Sequence, residues 1–348
     1  MSEPRPLRVL LVDDSATVRA VLRRILGRTV DSTVAGEASD GAQAVEQTLA
    51  LHPDVVLMDV EMPVVDGFAA TERIMAVRPT PIVVISSRAN RSVLHTAFEA
   101  IRRGAVEVFA KPEAPAGWDH LSEALPRTIR NVAGARARVS APPTTSSGAL
   151  PSPKLHRELR YVAIGASTGG PQAVHELLSV LPAEPPAAIL VVQHIASGFD
   201  EGFADWLAKD LRRDVRLAAD GESATPGTVR ISPSGVHLRL DDGGALRLDA
   251  VTPARAGHRP SADELFLSCA STKPRQVAGV LLSGMGRDGA EGLAALRRAG
   301  GLTMVQDEAS SVVFGMPKAA LDLEAATITR PPRELGLLLA KCWQGECP

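Results

Sequence analysis

The sequence predicts an α/β protein made of two doubly wound parallel-sheet domains in tandem. Two observations predict it. Short apolar runs alternate with helical patterns from Leu7 to Asn131, and the same alternation resumes after Tyr161. Between them, GARARVSAPPTTSSGALPSPK (Gly134 to Lys154) is rich in Pro, Ser, Thr and Ala and lacks a hydrophobic period. Alternation of this kind argues for parallel strands joined by crossover helices. A stretch with so few apolar groups does not offset its ordering entropy, so it reads as a flexible linker. The expected division is a first domain at 1–131, a linker at 132–156 and a second domain at 157–348.

In the first domain the strands read RVLLVDDS, TVAGEAS, VVLMDV, IVVIS and VFAKP, and the helices ATVRAVLRRIL, GAQAVEQTLALH, FAATERIMAV and VLHTAFEAIRRG. In the second, YVAIGAS, AAILVVQH and QVAGVLLSG are strands, and PQAVHELLSVL, FADWLAKDL and AEGLAALRRAG are helices. TVRISPSGVHLRLDDGGALRLD has period-two stretches broken by Asp-Asp-Gly-Gly, a β-hairpin pattern. The hairpin is expected to cover one edge of the second sheet.

Composition narrows the function classes. The chain has 348 residues, 45% hydrophobic and 22% charged, with a formal net charge of -2. Two average domains fit that length, and the balance is that of a globular protein. No basic footprint or helix-turn-helix pattern points to nucleic acid. No apolar run approaches the roughly 18 residues needed to span a bilayer, and the N-terminus lacks the regions of a signal peptide. A cytoplasmic monomer, not inserted in a membrane, is expected. Cys269 sits in an apolar helical pattern and reads as a core residue, while Cys342 and Cys347 lie in the tail. Three cysteines do not make a disulfide framework.

In an open parallel sheet, ligands collect beyond the carboxyl ends of the strands. Asp13 and Asp14 end the first strand, Asp59 the third, Ser86 the fourth and Lys111 the fifth. A lone Asp in such a place is ordinarily a helix cap or a turn residue. Five chemically matched residues at four strand ends are not explained that way. Three converging carboxylates repel one another unless a hard divalent cation joins them, and Mg²⁺ is the expected ion. Beside it a carboxylate can attack a phosphoryl group, a lysine neutralises developing charge, and a hydroxyl binds a product oxygen.

The second domain offers a nucleophile. Gly165-Ala166-Ser167-Thr168-Gly169-Gly170 runs from strand to helix and fits the elbow pattern that exposes a serine, with Pro171 opening the helix. The same serine is also a plausible cap. A base and its orienting acid must then come from other strand ends. His194 closes AAILVVQH, and a lone histidine there is more often simply buried and hydrogen-bonded. Asp288 follows QVAGVLLSG, and with Glu291 it also makes a good capping box for the next helix. Gly284-Met285-Gly286-Arg287-Asp288-Gly289 is a literal G-x-G-x-x-G with Asp307 further on, so a dinucleotide site competes. Asp288 would repel a pyrophosphate, and too little chain follows Asp307 to complete that fold. Ser167, His194 and Asp288 suit a triad instead. Their order differs from that of the α/β-hydrolases, which argues against that fold.

These motifs resemble a known family. VDDS, LMDVEMPVVDG, VVISS and FAKP resemble the response-regulator receiver domain. GASTGG, VVQHI, GHRPSADELF, LLSGMGRDGAEG and SSVVFGMP resemble successive blocks of the chemotaxis protein-glutamate methylesterase family. The resemblance implies a flavodoxin-like receiver followed by a Rossmann-like esterase domain. It implies Asp59 as phospho-acceptor, with Asp13, Asp14, Asp59 and the backbone carbonyl of Glu61 around Mg²⁺, and Ser86 and Lys111 as switch residues. It carries over Ser167 as nucleophile, His194 as base and Asp288 as orienting acid, with Thr168 and the Met285 amide stabilising the oxyanion. His258 and Arg259 match the family's HRPS segment without a role that the sequence supplies. Val108 stands where many receivers carry an aromatic switch residue, with Phe109 beside it.

The activity implied by the resemblance is hydrolysis of glutamate γ-methyl esters, and deamidation of glutamines, on methyl-accepting chemoreceptors. The esterase reaction needs no cofactor. A chemotaxis-type histidine kinase donates the phosphoryl group, and the unphosphorylated receiver covers the active site.

Overall fold

The structure, a computed structural model, describes residues 5–86, 98–112, 115–139 and 158–347. The chain divides into two units, Met1–Ser140 and Ala141–Pro348.

The first unit runs β1 (Leu7–Val12), α1 (Ala16–Leu26), β2 (Ser32–Ala38), α2 (Gly41–Leu51), β3 (Val55–Met58), α3 (Gly67–Val77), β4 (Ile82–Ser86), β5 (Glu107–Ala110) and α4 (Pro115–Val139). The five strands pair in the order β2-β1-β3-β4-β5, each pair parallel. This is the flavodoxin-like order, whose reversal leaves a crevice between the carboxyl ends of β1 and β3. β3 and β4 are buried throughout, which is why VVLM and IVVIS read as continuous apolar runs. Part of the helix expected from VLHTAFEAIRRG falls outside the described residues, and residues 98–102 of it are helical. α4 runs through Val139, past the boundary expected at 131. Ala and Arg dominate 133–138, and both are strong helix formers, so the helix propagates into what composition alone assigned to the linker.

The second unit runs β6 (Tyr161–Ala166), α5 (Gly170–Ser179), β7 (Ala188–Gln193), α6 (Asp200–Leu211), β8 (Asp214–Leu217), β9 (Thr228–Ile231), β10 (His237–Leu240), β11 (Leu246–Asp249), α7 (Ala262–Thr272), β12 (Val277–Leu281), α8 (Ala290–Arg298), β13 (Leu302–Gln306), α9 (Met316–Asp322), β14 (Ile328–Arg330) and α10 (Pro332–Trp343). Seven strands form one parallel sheet, ordered β14-β13-β12-β6-β7-β9-β8. β6 leads outward to β7 on one side, and the chain later returns to β12 on the other. The switch point therefore lies at the carboxyl ends of β6 and β12.

The hairpin differs from expectation. TVRI is β9 and pairs in parallel between β7 and β8. Only β10 and β11 form the antiparallel hairpin, as a separate two-stranded sheet. Its Leu238, Leu240 and Leu246 join Leu265, Phe266 and Cys269 of α7 in the core beneath the main sheet. The hairpin thus thickens a face of the domain and does not guard an edge, because its alternating leucines find a buried partner only there.

Cys269 is fully buried, and burial pushes its thiol up to about 12, so it behaves as a small apolar core group. Cys342 and Cys347 form a disulfide at the end of α10, a single local link that the sequence reading did not anticipate. Trp343 Nε1 donates to Leu159 O at 3.1 Å and ties α10 to the start of the unit. No helix among the described residues is long and apolar enough to cross a membrane.

Candidate active site

The strand ends of the first unit carry the acidic cluster. Carboxylate oxygens of Asp13, Asp14 and Asp59 all lie within 4.8 Å of one another. Asp13 and Asp59 are buried, whereas Asp14 is exposed. Lys111 Nζ stands 2.8 Å from Asp13 Oδ2 and 2.5 Å from Asp59 Oδ2. Burial pulls the ammonium down, but its bonds to the two carboxylates outweigh that and hold it above its ordinary range. Burial pushes the Asp59 carboxyl up; Lys111 opposes the rise, Asp13 adds to it, and the result is about 6. Near neutral pH Asp59 is therefore mostly ionised despite its surroundings.

Other acids at this end of the sheet are caps. Asp40 accepts from Ala42 N and Gln43 N to open α2, and Asp66 accepts from Ala69 N to open α3. Asp59 caps no helix; its Oδ1 accepts only weakly from Glu61 N, at 3.3 Å. Ser86 Oγ is buried and has no hydrogen-bond partner among the described residues. An orphaned hydroxyl beside this cluster suits a ligand oxygen that arrives later. Val108 is buried in β5, and Phe109 beside it is half-buried.

In the second unit, Ser167 and His194 follow directly on adjacent strands. Ala166 pairs with Gln193, and His194 N donates to Ala166 O at 2.9 Å, the last rung of that ladder. On the other side Ser167 N donates to Ser283 O at 3.0 Å, anchoring the elbow to the end of β12. Gly169 takes φ +74 and opens α5 without a side-chain cap. Ser167 therefore does not cap the helix. The amides of Thr168 and Gly169 donate to no acceptor among the described residues. Uncapped amides at a helix N-terminus are suited to an anionic oxygen.

His194 Nε2 lies 2.8 Å from Asp288 Oδ2, and both side chains are buried. Asp288 also accepts from Ser261 Oγ at 2.6 Å, Ala262 N at 2.7 Å and Asp263 N at 3.2 Å. Burial pushes its carboxyl up, but the bonds from His194, Ser261 and Ala262 prevail and hold it at about 2. An ionised Asp288 only accepts, so the imidazole carries its proton on Nε2 and keeps a lone pair on Nδ1. Nδ1 is buried and has no hydrogen-bond partner among the described residues. The Ser167 hydroxyl is thus near in register but not yet bonded to the imidazole. Such bonds are often formed only when substrate is bound.

The capping box that competed with the catalytic reading of Asp288 is absent. Gly289 is the N-cap of α8 and makes no side-chain bond. Asp288 instead binds the first amides of α7, a helix that precedes it by some 25 residues, and Ser261 caps α7 at Glu264 N. Sequence spacing names local partners only, so this long-range anchor was not visible in it.

His258 was left without a role by the sequence. Its ring stacks on that of His194, with centroids 3.9 Å apart and planes 1° from parallel. Burial, and then the neighbouring His194, lower its imidazole to about 4, with Asp288 opposing. The stacked partner is therefore uncharged near neutral pH. Arg259 Nη1 donates to the carbonyls of Ala250 and Thr252, which makes it a brace for its own loop. Met285 is 37% exposed on the loop after β12, and Thr168 is buried. SSVVFGMP closes the floor: Ser283 Oγ donates to Thr168 O, Val313 N donates to Ser283 Oγ, and Gly284 N donates to Val313 O. Asp307, the acid of the competing dinucleotide pattern, accepts from Ser310 N and Ser310 Oγ in a local turn.

A receiver-type sheet with an acid cluster, joined to a parallel α/β domain with serine, histidine and aspartate around its switch point, defines a response regulator with a hydrolase-type output. Comparison with known proteins agrees. The CheB methylesterase family model matches residues 162–339, and the response regulator receiver domain model matches residues 9–121. The chain belongs to the CheB methylesterase family. A protein-glutamate methylesterase/protein-glutamine glutaminase of Anaeromyxobacter dehalogenans is 42% identical over 340 residues, 95% of each chain. One from Cereibacter sphaeroides is 46% identical over 329 residues, covering 92% of this chain and 87% of that one. Among solved structures, the Thermotoga maritima CheB methylesterase catalytic domain matches with a TM-score of 0.51 and 33% identity, over 53% of this chain and 98% of that one.

Proposed function

We propose that this chain is a phosphorylation-activated protein-glutamate methylesterase, with glutaminase activity at the same site, acting on methyl-accepting chemoreceptors. The observation that carries the reading is the buried His194–Asp288 pair beside Ser167 at the switch point of a parallel sheet.

Ser167 Oγ attacks the γ-carbonyl carbon of a methylated glutamate and passes its proton to His194 Nδ1. Asp288 holds the tautomer and stabilises the imidazolium. The oxyanion forms toward the amides at the start of α5 and toward the Met285 amide, with Thr168 beside it. Collapse expels the methoxy group, which takes the proton from His194 and leaves as methanol. Water then opens the acyl-enzyme by the same proton route and restores Ser167. With a glutamine side chain the leaving group is ammonia.

In the receiver, Asp59 accepts a phosphoryl group from a chemotaxis-type histidine kinase. Asp13, Asp14, Asp59 and the carbonyl of Glu61 would be the oxygen donors for Mg²⁺, a set that fits a hard divalent cation. The ion supplies charge neutralisation for the transferred group. Lys111 pairs with the transferred phosphoryl oxygens, and Ser86 donates its hydroxyl to one of them. Phosphorylation then shifts the population toward a state in which the receiver no longer inhibits the esterase domain.

A methanol-release assay on methylated receptor tests both halves. Ser167→Ala is expected to abolish turnover, and Asp59→Ala to retain basal turnover while losing the response to a phosphodonor. Methanol release by Ser167→Ala at the wild-type rate would refute the esterase mechanism. A fragment starting near Leu155 that is no faster than unphosphorylated full-length protein would refute inhibition by the receiver.

A further inference from the structure

Gln193 ends β7 and is 2% exposed, next to His194 in sequence and opposite Ala166 in register. Its side-chain nitrogen donates to Ser167 O at 2.8 Å and to His194 O at 2.9 Å. Both carbonyls lie just beyond the last rung of the ladder, where no strand partner remains for them. One amide group therefore satisfies the backbones of two residues on neighbouring strands. Its oxygen is buried without a partner among the described residues. That oxygen rests against Gly170, where a Cβ would sit 2.2 Å from it. Gly170 N in turn donates to Ser167 O at 2.7 Å. The last glycine of GASTGG and the glutamine of VVQH thus fit each other.

We infer that Gln193 is a positioning residue that clamps the backbone of Ser167 to that of His194, and that Gly170 is glycine to admit its amide. The inference rests on Ser167 and His194 being nucleophile and base. Neither residue is bonded directly to the other through its side chain, so their relative placement is set by backbone connections. The ladder supplies one, from His194 N to Ala166 O, and the Gln193 amide supplies the next. A misplacement of about 1 Å at a reacting pair costs on the order of 10²-fold in rate.

The test uses the full chain and counts competent sites by stoichiometric labelling of Ser167 with a fluorophosphonate. Gln193→Met keeps the volume and removes the donor, Gln193→Glu keeps the shape and cannot donate while ionised, and Gln193→Asn keeps the amide but is one methylene short. For Gln193→Met and Gln193→Glu, kcat on methylated receptor per labelled site is expected to fall roughly 10- to 10²-fold. KM is expected to stay within about twofold, and Gln193→Asn to lie between these and wild type. A kcat per labelled site within about twofold of wild type in Gln193→Met would overturn the clamp. So would a loss accounted for wholly by fewer labelled sites, or failure of all three variants to give labelled sites, either of which assigns the residue to folding alone. Absence of labelling in the wild type would instead refute the underlying esterase mechanism.

Discussion

Replacing Asp288 by Asn removes one buried charge while keeping the side chain's shape. The carboxylate accepts four hydrogen bonds, from His194, Ser261, Ala262 and Asp263. These contacts lower its pKa from an ordinary 3.8 to about 2, against the effect of burial. At about 1.4 kcal/mol per pH unit, the charged form stabilises the folded domain by about 2 kcal/mol at pH 7. The sign comes from the depressed value. The stabilisation is fully present above about pH 4 and is lost as the pH falls toward 2. Asp288→Asn should therefore unfold about 2 kcal/mol more easily at pH 7, and the difference should shrink between pH 4 and 2. Urea unfolding monitored through Trp206 and Trp343, in a Trp118→Phe background that silences the receiver, reports this domain. Turnover should fall between about 10²- and 10⁴-fold, because the imidazolium loses its counter-charge. A variant as stable as wild type at pH 7, or a difference that grows as the pH falls, would refute the reasoning.

Three further outcomes are expected. A Cβ on Gly292 would lie 2.6 Å from Asp263 O, so Gly292→Ala should cost roughly 1–3 kcal/mol by forcing α8 from the start of α7, seen as a lower melting temperature. Val64 is 88% exposed at φ +67, a conformation that is costly for a β-branched residue, so Val64→Asn should stabilise the receiver by about 1 kcal/mol in thermal unfolding. His258→Ala should lower kcat roughly threefold to tenfold, from the ~0.5–1.5 kcal/mol of a stacked ring pair, while His258→Phe keeps most of the activity. Equal losses in Ala and Phe would point to the imidazole's polarity and away from its plane.

Much of the site was legible because open parallel sheets gather chemistry at one end. Asp13, Asp14, Asp59, Ser86 and Lys111 were readable as a group since each closes an apolar run. Ser167 and His194 were readable for the same reason, and Asp288 as the acid in the loop after β12, aided by the family resemblance. The partners of Asp288 were not legible. Spacing suggested Glu291 and α8, whereas the carboxylate binds α7, because a buried anion is held by whichever amides packing brings to it. His258 has no role legible in the sequence, since a stacked ring leaves no mark there. The Asp-Asp-Gly-Gly turn of the hairpin was legible, but not that TVRI lies outside it or that the hairpin packs on a face of the domain. TVRI and HLRL have similar patterns, and only the competition for partners places the first in the sheet and the second over α7.

Periodicity, and residue types adjacent along the chain, pointed to the two α/β units and to an acid cluster at strand ends, and the motif blocks carried the resemblance to the family. It took the folded chain to establish that Asp288 anchors the start of α7, that His258 lies flat on His194, and that Gln193 joins the two strand ends. Those contacts link residues between 25 and 64 positions apart, apart from Gln193's own bond to its neighbour. Their formation depends on the lateral order of strands, which no local pattern encodes.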